Sequence, residues 1–235
     1  MTAPGGFTNA LGQPVGQPLP DWRPPPRPVH AVLEGRYCRL EPLDAGRHAA
    51  DLHAAYSRDT DGRMWTYLFS GPFASSAELR SWVEARQDSE DPLFFAVVDA
   101  ATARAAGIAS FLRIDPGHGV VEVGHLAFSP QLQRTRVATE AMYLMMKHVF
   151  DLGYRRYEWK CDALNAPSRR AAERLGFTFE GIFRQAIVYK GRNRDTAWYS
   201  VIDSEWPVLD TAFRAWLDPD NFDADGSQRR RLRGT

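Results

Sequence analysis

Two arginines, Arg134 and Arg136, stand where the segment SPQLQRTRVATEA passes from a Ser-Pro break into an apolar helix pattern. The start of a helix is locally positive, because its first N–H groups are unpaired and its peptide dipoles add, so cations gain nothing there on their own. Either an anion is held at this helix start or the two side chains point into water. Just upstream, GVVEVGHLAFSP carries a carboxylate, Glu122, and an imidazole, His125, both able to move protons in a reaction. Strand alternation puts Glu122, Gly124 and Leu126 on one face and Val123 and His125 on the other, unless a bulge intervenes. Downstream, NAPSRR offers Asn165 as a helix N-cap and Ser168 as a hydroxyl in the first turn.

These groups need elements to position them, and the chain alternates between two hydrophobic periods. GRYCRLEPLD has strand alternation, AGRHAADLHAAYSR helical spacing, and MWTYLFSGPF reads as an aromatic loop closed by Gly71-Pro72. SSAELRSWVEARQ follows as a helix with a serine N-cap signal. LFFAVVDA, AAGIASFLRID and GVVEVGHLAFSP are strands joined by short turns, hence antiparallel. Residues 137–152 form a nearly all-apolar helix stopped by Gly153. RRYEWKC is a buried strand, and NAPSRRAAERLGF a helix ending at Gly176. TFEGIFRQAIV and DTAWYSVID flank YKGRNR as a long hairpin, and a last helix covers about residues 204–217. The pattern predicts an α+β fold with a mixed sheet.

Residues 1–30 hold half of the 16 prolines and little periodic apolar content, so they are expected to be extended along the domain, with Leu19 and Trp22 as anchors, or disordered. A single domain over 31–218 and a tail over 219–235 complete the expected organisation. The formal net charge is zero, which argues against a polyanionic partner, and the terminal RRRLR is read as a solvated tail without function. Cys38 and Cys161 are far apart and fit buried apolar roles in a reducing compartment. No CxxC, HExxH or clustered His/Cys pattern points to a metal, and no run approaches the about 18 apolar residues of a membrane span. The expected location is cytoplasmic.

The half from VATEAMYL to EGIFRQ resembles the acetyl-CoA-binding half of the GNAT superfamily of N-acetyltransferases. ATEA at 138–141, N-x-x-S at 165–168 and GF-x-x-EG-x-x-R at 176–184 recur there in this order, most closely in the Rim-type ribosomal-protein and small-molecule acetyltransferases. The resemblance implies a mixed, mostly antiparallel sheet of about seven strands flanked by helices, with the fourth and fifth strands splayed apart. It also implies that the loop and helix start formed by Gln133, Arg134, Thr135, Arg136, Val137, Ala138 and Thr139 wrap the pyrophosphate of acetyl-CoA, which supplies the anion for the two arginines. Arg136 stands where the family pattern has glycine.

By the same resemblance the pantetheine arm runs along the fourth strand, with backbone N–H groups at Leu126, Ala127 and Phe128 meeting the thioester. Glu122 is then the general base, directly or through water, and His125 its rival. Asn165 contacts the pantetheine arm, and Ser168 protonates or orients the departing sulfur. Trp65, Tyr67 and Tyr189, with Phe69, are expected to line the amine site between the aromatic loop and the last hairpin. The implied reaction is direct attack by a primary amine, of a small molecule or a protein N-terminus, on acetyl-CoA in a ternary complex. A non-catalytic acyl-CoA-binding module and a different acyl donor are the alternatives. No metal, nucleic acid or membrane is expected as partner, and a homodimer is left open.

Overall fold

The structure is a computed structural model and describes residues 6–232. The first five residues of the proline-rich segment and Arg233 of the basic run lie outside the described residues. Two short strands, β1 (Phe7–Thr8) and β2 (Pro14–Val15), form a small exposed hairpin. The domain continues with β3 (Leu33–Glu34), β4 (Cys38–Pro42), α1 (Ala45–Tyr56), α2 (Ser76–Glu84), β5 (Leu93–Asp99), β6 (Arg104–Asp115) and β7 (Val120–Phe128). Then come α3 (Arg136–Asp151), β8 (Arg156–Asp162), α4 (Ala166–Arg174), β9 (Thr178–Tyr189), β10 (Arg192–Ile202) and α5 (Trp206–Leu217).

Strands β3 to β10 form one sheet in the order β3-β4-β5-β6-β7-β8-β10-β9, antiparallel throughout except for the parallel pair β7–β8. The sheet has eight strands rather than seven because Leu33–Glu34 adds an edge pairing to β4. One face packs on α3, α4 and α5 through a core that includes Phe111, Val121, Val123, Met145, Tyr157 and Phe213. The other packs on α1 and α2 through Leu52, Tyr56, Trp65, Leu79, Phe94 and Ile108. Period two along β7 explains the division: Val121 and Val123 join the first core, which leaves Glu122 on the α1/α2 side.

Glu140 of the ATEA motif ties α3 to the β3–β4 turn. Its buried carboxylate accepts the N–H groups of Arg36 at 2.9 Å, Tyr37, and Cys38 at 2.8 Å. Gly35 permits this approach, since a Cβ there would lie 2.5 Å from the Glu140 carboxyl. The last hairpin is tighter than expected. Lys190 and Gly191 both take positive φ, 48° and 68°, as a two-residue type I′ turn requires, so Asn193 and Arg194 belong to β10 and not to a loop.

Stretches of both terminal segments lie against the domain. Pro25 and Pro28 are buried, Trp22 packs near Gly119, and Arg27 donates to Ile114 O at 3.1 Å, whereas Leu19 stays 47% exposed and anchors nothing. At the other end the side chain of Asn221 bonds Trp216 O and the backbone of Arg230, and Leu232 enters the main core. The basic run is therefore folded back through Leu232. Cys38 and Cys161 are both buried and free.

Candidate active site

Strands β7 and β8 pair in register only from Val120↔Arg156 to Val123↔Trp159, after which they part. The opening coincides with a bulge. Between the pairs Ser110↔Gly124 and Ile108↔Ala127, β7 carries one residue more than β6, and His125 takes φ +50°. From Gly124 to Phe128, β7 thus offers β8 no ladder bonds. Its residues Leu126 and Phe128 lean on the α3-side core while Ala127 joins the α1/α2 side. Tyr56, fully sequestered, donates its hydroxyl to Ala127 O at 3.0 Å.

The bulge decides where His125 points. Its Nδ1 lies 2.9 Å from Ser110 Oγ, and its ring stands 5.1 Å from that of Phe94. The Ser110 hydroxyl donates to Gly124 O at 3.1 Å, so Nδ1–H is the donor to Ser110 and Nε2 keeps its lone pair. Burial, with a smaller push from Arg86, holds the imidazole pKa below its usual value and the ring neutral. His125 and Glu122 therefore end on the same side of the sheet, contrary to strict alternation.

Glu122 does not stand alone. Its Oε2 accepts Lys160 Nζ at 2.8 Å, and Arg113 Nε lies at 3.6 Å. Lys160 is shared with Glu158 at 2.8 Å and sits 3.5 Å above the Trp198 ring. Arg156 and Glu180 extend the network. Burial pushes the Glu122 carboxyl up against the opposition of Lys160 and Arg113. Burial acts on Glu158 as well, but there Lys160 and Arg156 outweigh it and the pKa falls. The other Glu122 oxygen, Oε1, lies beside Gly124, 3.8 Å from where a Cβ there would stand.

At the start of α3, Thr135 is the N-cap. Its hydroxyl accepts Ala138 N–H at 3.1 Å and donates to Leu132 O at 2.7 Å. Position alone leaves the N–H groups of Arg136 and Val137 without intrahelical partners. The left-handed residue is Arg134, at φ +63°, whereas Arg136 is the first helical residue and has no need of glycine for its backbone. The two arginine side chains differ in what they meet. Both are exposed, but the Arg136 guanidinium also stacks 4.8 Å from Tyr37 and 5.2 Å from Phe222. Thr139 is buried, its hydroxyl donating to Thr135 O and accepting from Arg174 at 2.8 Å, so it faces the protein. Gln133 reaches back to Phe128 O at 2.8 Å.

On α4, Asn165 is the N-cap and its Oδ1 accepts Ser168 N–H at 3.1 Å. Ser168 Oγ accepts the Trp159 indole N–H at 3.0 Å, which leaves its own proton to give. Burial raises the neighbouring Cys161 thiol, and the Ser168 hydroxyl offsets part of that. Ser168 thus lies on the α3/α4 side of the sheet and Glu122 on the other.

Trp65 of the aromatic loop, expected to line the amine site, is buried instead. That ring is 4% exposed, held edge-on between Tyr56 and Phe73. Tyr67 bonds Leu164 O at 3.2 Å, and Tyr189 donates to Asp162 at 2.8 Å. Burial and that bond push the Tyr189 phenol up to about 12, so it stays protonated. The Phe69 and Tyr189 rings are 5.3 Å apart.

A family profile described as an acetyltransferase (GNAT) domain matches residues 38–178, more than half of the 235. The chain belongs to the GNAT acetyltransferase family. A GCN5-related N-acetyltransferase from Brucella melitensis is 53% identical, with a TM-score of 0.89, over 91% of this chain and 97% of that one. A GNAT-family protein from Chromobacterium violaceum is 40% identical, with a TM-score of 0.77, over 83% and 98%. A ribosomal L7/L12 alpha-N-protein acetyltransferase is 22% identical over 73% and 94%, and its TM-score of 0.62 shows a shared fold only. No curated protein sequence matches the chain.

For this GNAT chain, the residues that sequence reasoning missed are Lys160 and Tyr56. Lys160 shares a strand face with Glu158 at spacing two, and a lysine inside a buried strand was the available signal. Nothing in the sequence pointed to Tyr56, whose hydroxyl meets β7 across 71 residues. Among the described residues no His/Cys/Asp/Glu group could hold a metal, and no helix is long and apolar enough to cross a membrane.

Proposed function

We propose that the protein transfers the acetyl group of acetyl-CoA to a primary amine, of a small molecule or a protein N-terminus, by direct attack in a ternary complex. One observation carries the reading: β7–β8 pairing stops at Val123↔Trp159 beside a helix start with free N–H groups. An unpaired strand edge suits an amide-bearing arm, and a helix N-terminus suits pyrophosphate. Arg134, Thr135, Arg136, Val137 and Ala138 would hold the phosphates, mainly by backbone N–H, and Leu126, Ala127, Phe128 and Asn165 the arm. Acetyl-CoA supplies the activated thioester.

The chain's own groups divide the proton work. Glu122, through Oε1 and an intervening water, accepts the proton lost by the amine. Its raised pKa strengthens it as a base, and Lys160 keeps it ionised. Ser168, already accepting from Trp159, donates a hydrogen bond that steadies the departing thiolate, which takes its proton from solvent. His125 is the second reading, favoured by its free Nε2 and neutral state. Closeness to the Rim-type group rests on shared motifs and on one neighbour at 22% identity.

The test is release of free thiol from acetyl-CoA across a panel of amines, with the acetylated product identified by mass. Thiol release that depends on an amine supports the reading. Binding of acetyl-CoA with no release for any amine would select the non-catalytic module, and faster release from succinyl-CoA would select another donor.

A further inference from the structure

Arg194, Thr196 and Trp198 follow one another at period two on β10, so they share one face of the sheet. The register sets Thr196 beside Asp162 and Trp198 beside Lys160 on β8. Each of the three brings a buried polar atom without a hydrogen-bond partner among the described residues: Arg194 Nε, Thr196 Oγ1 and Trp198 Nε1. Folded proteins leave few such atoms. Three in a row also have a common sense, because the guanidinium and indole nitrogens only donate and the hydroxyl can donate.

Arg194 is the strongest of them. It is 7% exposed, with its guanidinium 5.3 Å from the Phe69 ring and 5.7 Å from the Tyr189 ring. Ring faces replace the hydration of a buried cation only in part. The acids nearby in sequence and register are already engaged: Asp162 by Tyr189 and Leu164 N, Asp195 by Gln185 N and Asn193. The charge reaches the Cys161 thiol, which adjoins Ser168.

Building on the acetyl-transfer reading, we infer that this row holds the carboxylate of a small amine acceptor, with Arg194 gripping the two oxygens and Thr196 donating beside it. A planar guanidinium fork matches a carboxylate in shape as well as charge. The acceptor is small because Tyr67 bonded to Leu164 O and Lys190 bonded to Trp65 O tie the aromatic loop to the β8–α4 turn and to the last hairpin. Only a terminal group reaches a guanidinium covered to this degree.

The experiment compares free amino acids with their carboxamides as acceptors for the full chain, with acetyl-CoA affinity titrated separately. Wild type is expected to favour the carboxylates at least tenfold in kcat/KM. Arg194→Gln removes that preference while changing acetyl-CoA affinity less than twofold, and Arg194→Lys restores part of it. In the presence of CoA, a carboxylate acceptor raises the melting temperature of wild type but not of Arg194→Gln. Equal use of acids and amides by wild type overturns the inference, as does an equal loss of acetyl-CoA affinity in Arg194→Gln or a preference for peptides with uncharged first residues. Transfer without carboxylate preference sinks this inference alone, whereas neither binding nor transfer sinks the acetyl-transfer reading with it.

Discussion

Glu122 and His125, which the bulge brings to the same side of the sheet, are the two candidates for the base. Replacing Glu122 by Gln keeps shape but removes a proton acceptor, so kcat should fall by about 10² to 10⁴-fold with little change in acetyl-CoA affinity. The acid limb of kcat/KM, set by a carboxyl held above its usual pKa, should vanish in the same variant. Normal turnover in Glu122→Gln with an inactive His125→Asn would transfer the role to His125. Glu140 makes a contrasting case, since its motif is shared with the cofactor half yet its carboxylate serves the β3–β4 turn. Hydrogen bonds to a charged group contribute about 1.5 to 3 kcal/mol each, so Glu140→Ala should lower unfolding free energy by roughly 3 kcal/mol or more in denaturant melts. A loss under about 1 kcal/mol would show that the turn forms without it.

At the scale of elements, the start of α3 separates backbone from side chain. Arg134 carries the left-handed φ of +63°, so Arg134→Gly should leave stability within about 1 kcal/mol, strain relief offsetting the added freedom of the unfolded chain. It removes an exposed cation, and the KM for acetyl-CoA should rise more at low than at high salt. Arg136→Ala should act instead through lost stacking on Tyr37 and Phe222, lowering the melting temperature. A KM in Arg134→Gly equal to that of the wild type at low salt would return that side chain to solvent. Much of this level was legible in the sequence. The Asn165 cap, the helix ended by Gly153 and the order of strands follow from local spacing. What stayed hidden depends on distant pairing: Lys160 meets Glu122 across 38 residues, Arg136 finds Phe222 in the C-terminal segment, and Arg194 joins a strand only because the turn closes at Lys190-Gly191.

For the whole molecule, three histidines report on packing. His48, His125 and His148 all have pKa values held below the usual imidazole value, with burial the largest cause for each. A depressed folded-state pKa means that the unfolded chain binds more protons, so their contribution is complete above about pH 6.5 and is lost as pH falls towards the folded values. Glu41, Glu158 and Glu180, all lowered, lose theirs only below the ordinary carboxylate range. Stability should therefore decline from about pH 6.5 downward, before carboxylates titrate. His148→Leu should flatten that decline, because His148 Nε2 is buried without a partner. A flat profile between pH 7.5 and 5.5 in wild type, followed by denaturant melts, would contradict the burial of these rings.

The claim that joins these scales is that acetyl-CoA lies in the opening between β7 and β8 with its phosphates on the start of α3. Amide hydrogen exchange with and without saturating acetyl-CoA tests it most directly. Slowed exchange is expected at Leu126, Ala127 and Phe128 and at Arg136 and Val137, with the β3–β4 turn unchanged. Binding that leaves these amides unprotected, or no binding at all, would contradict it.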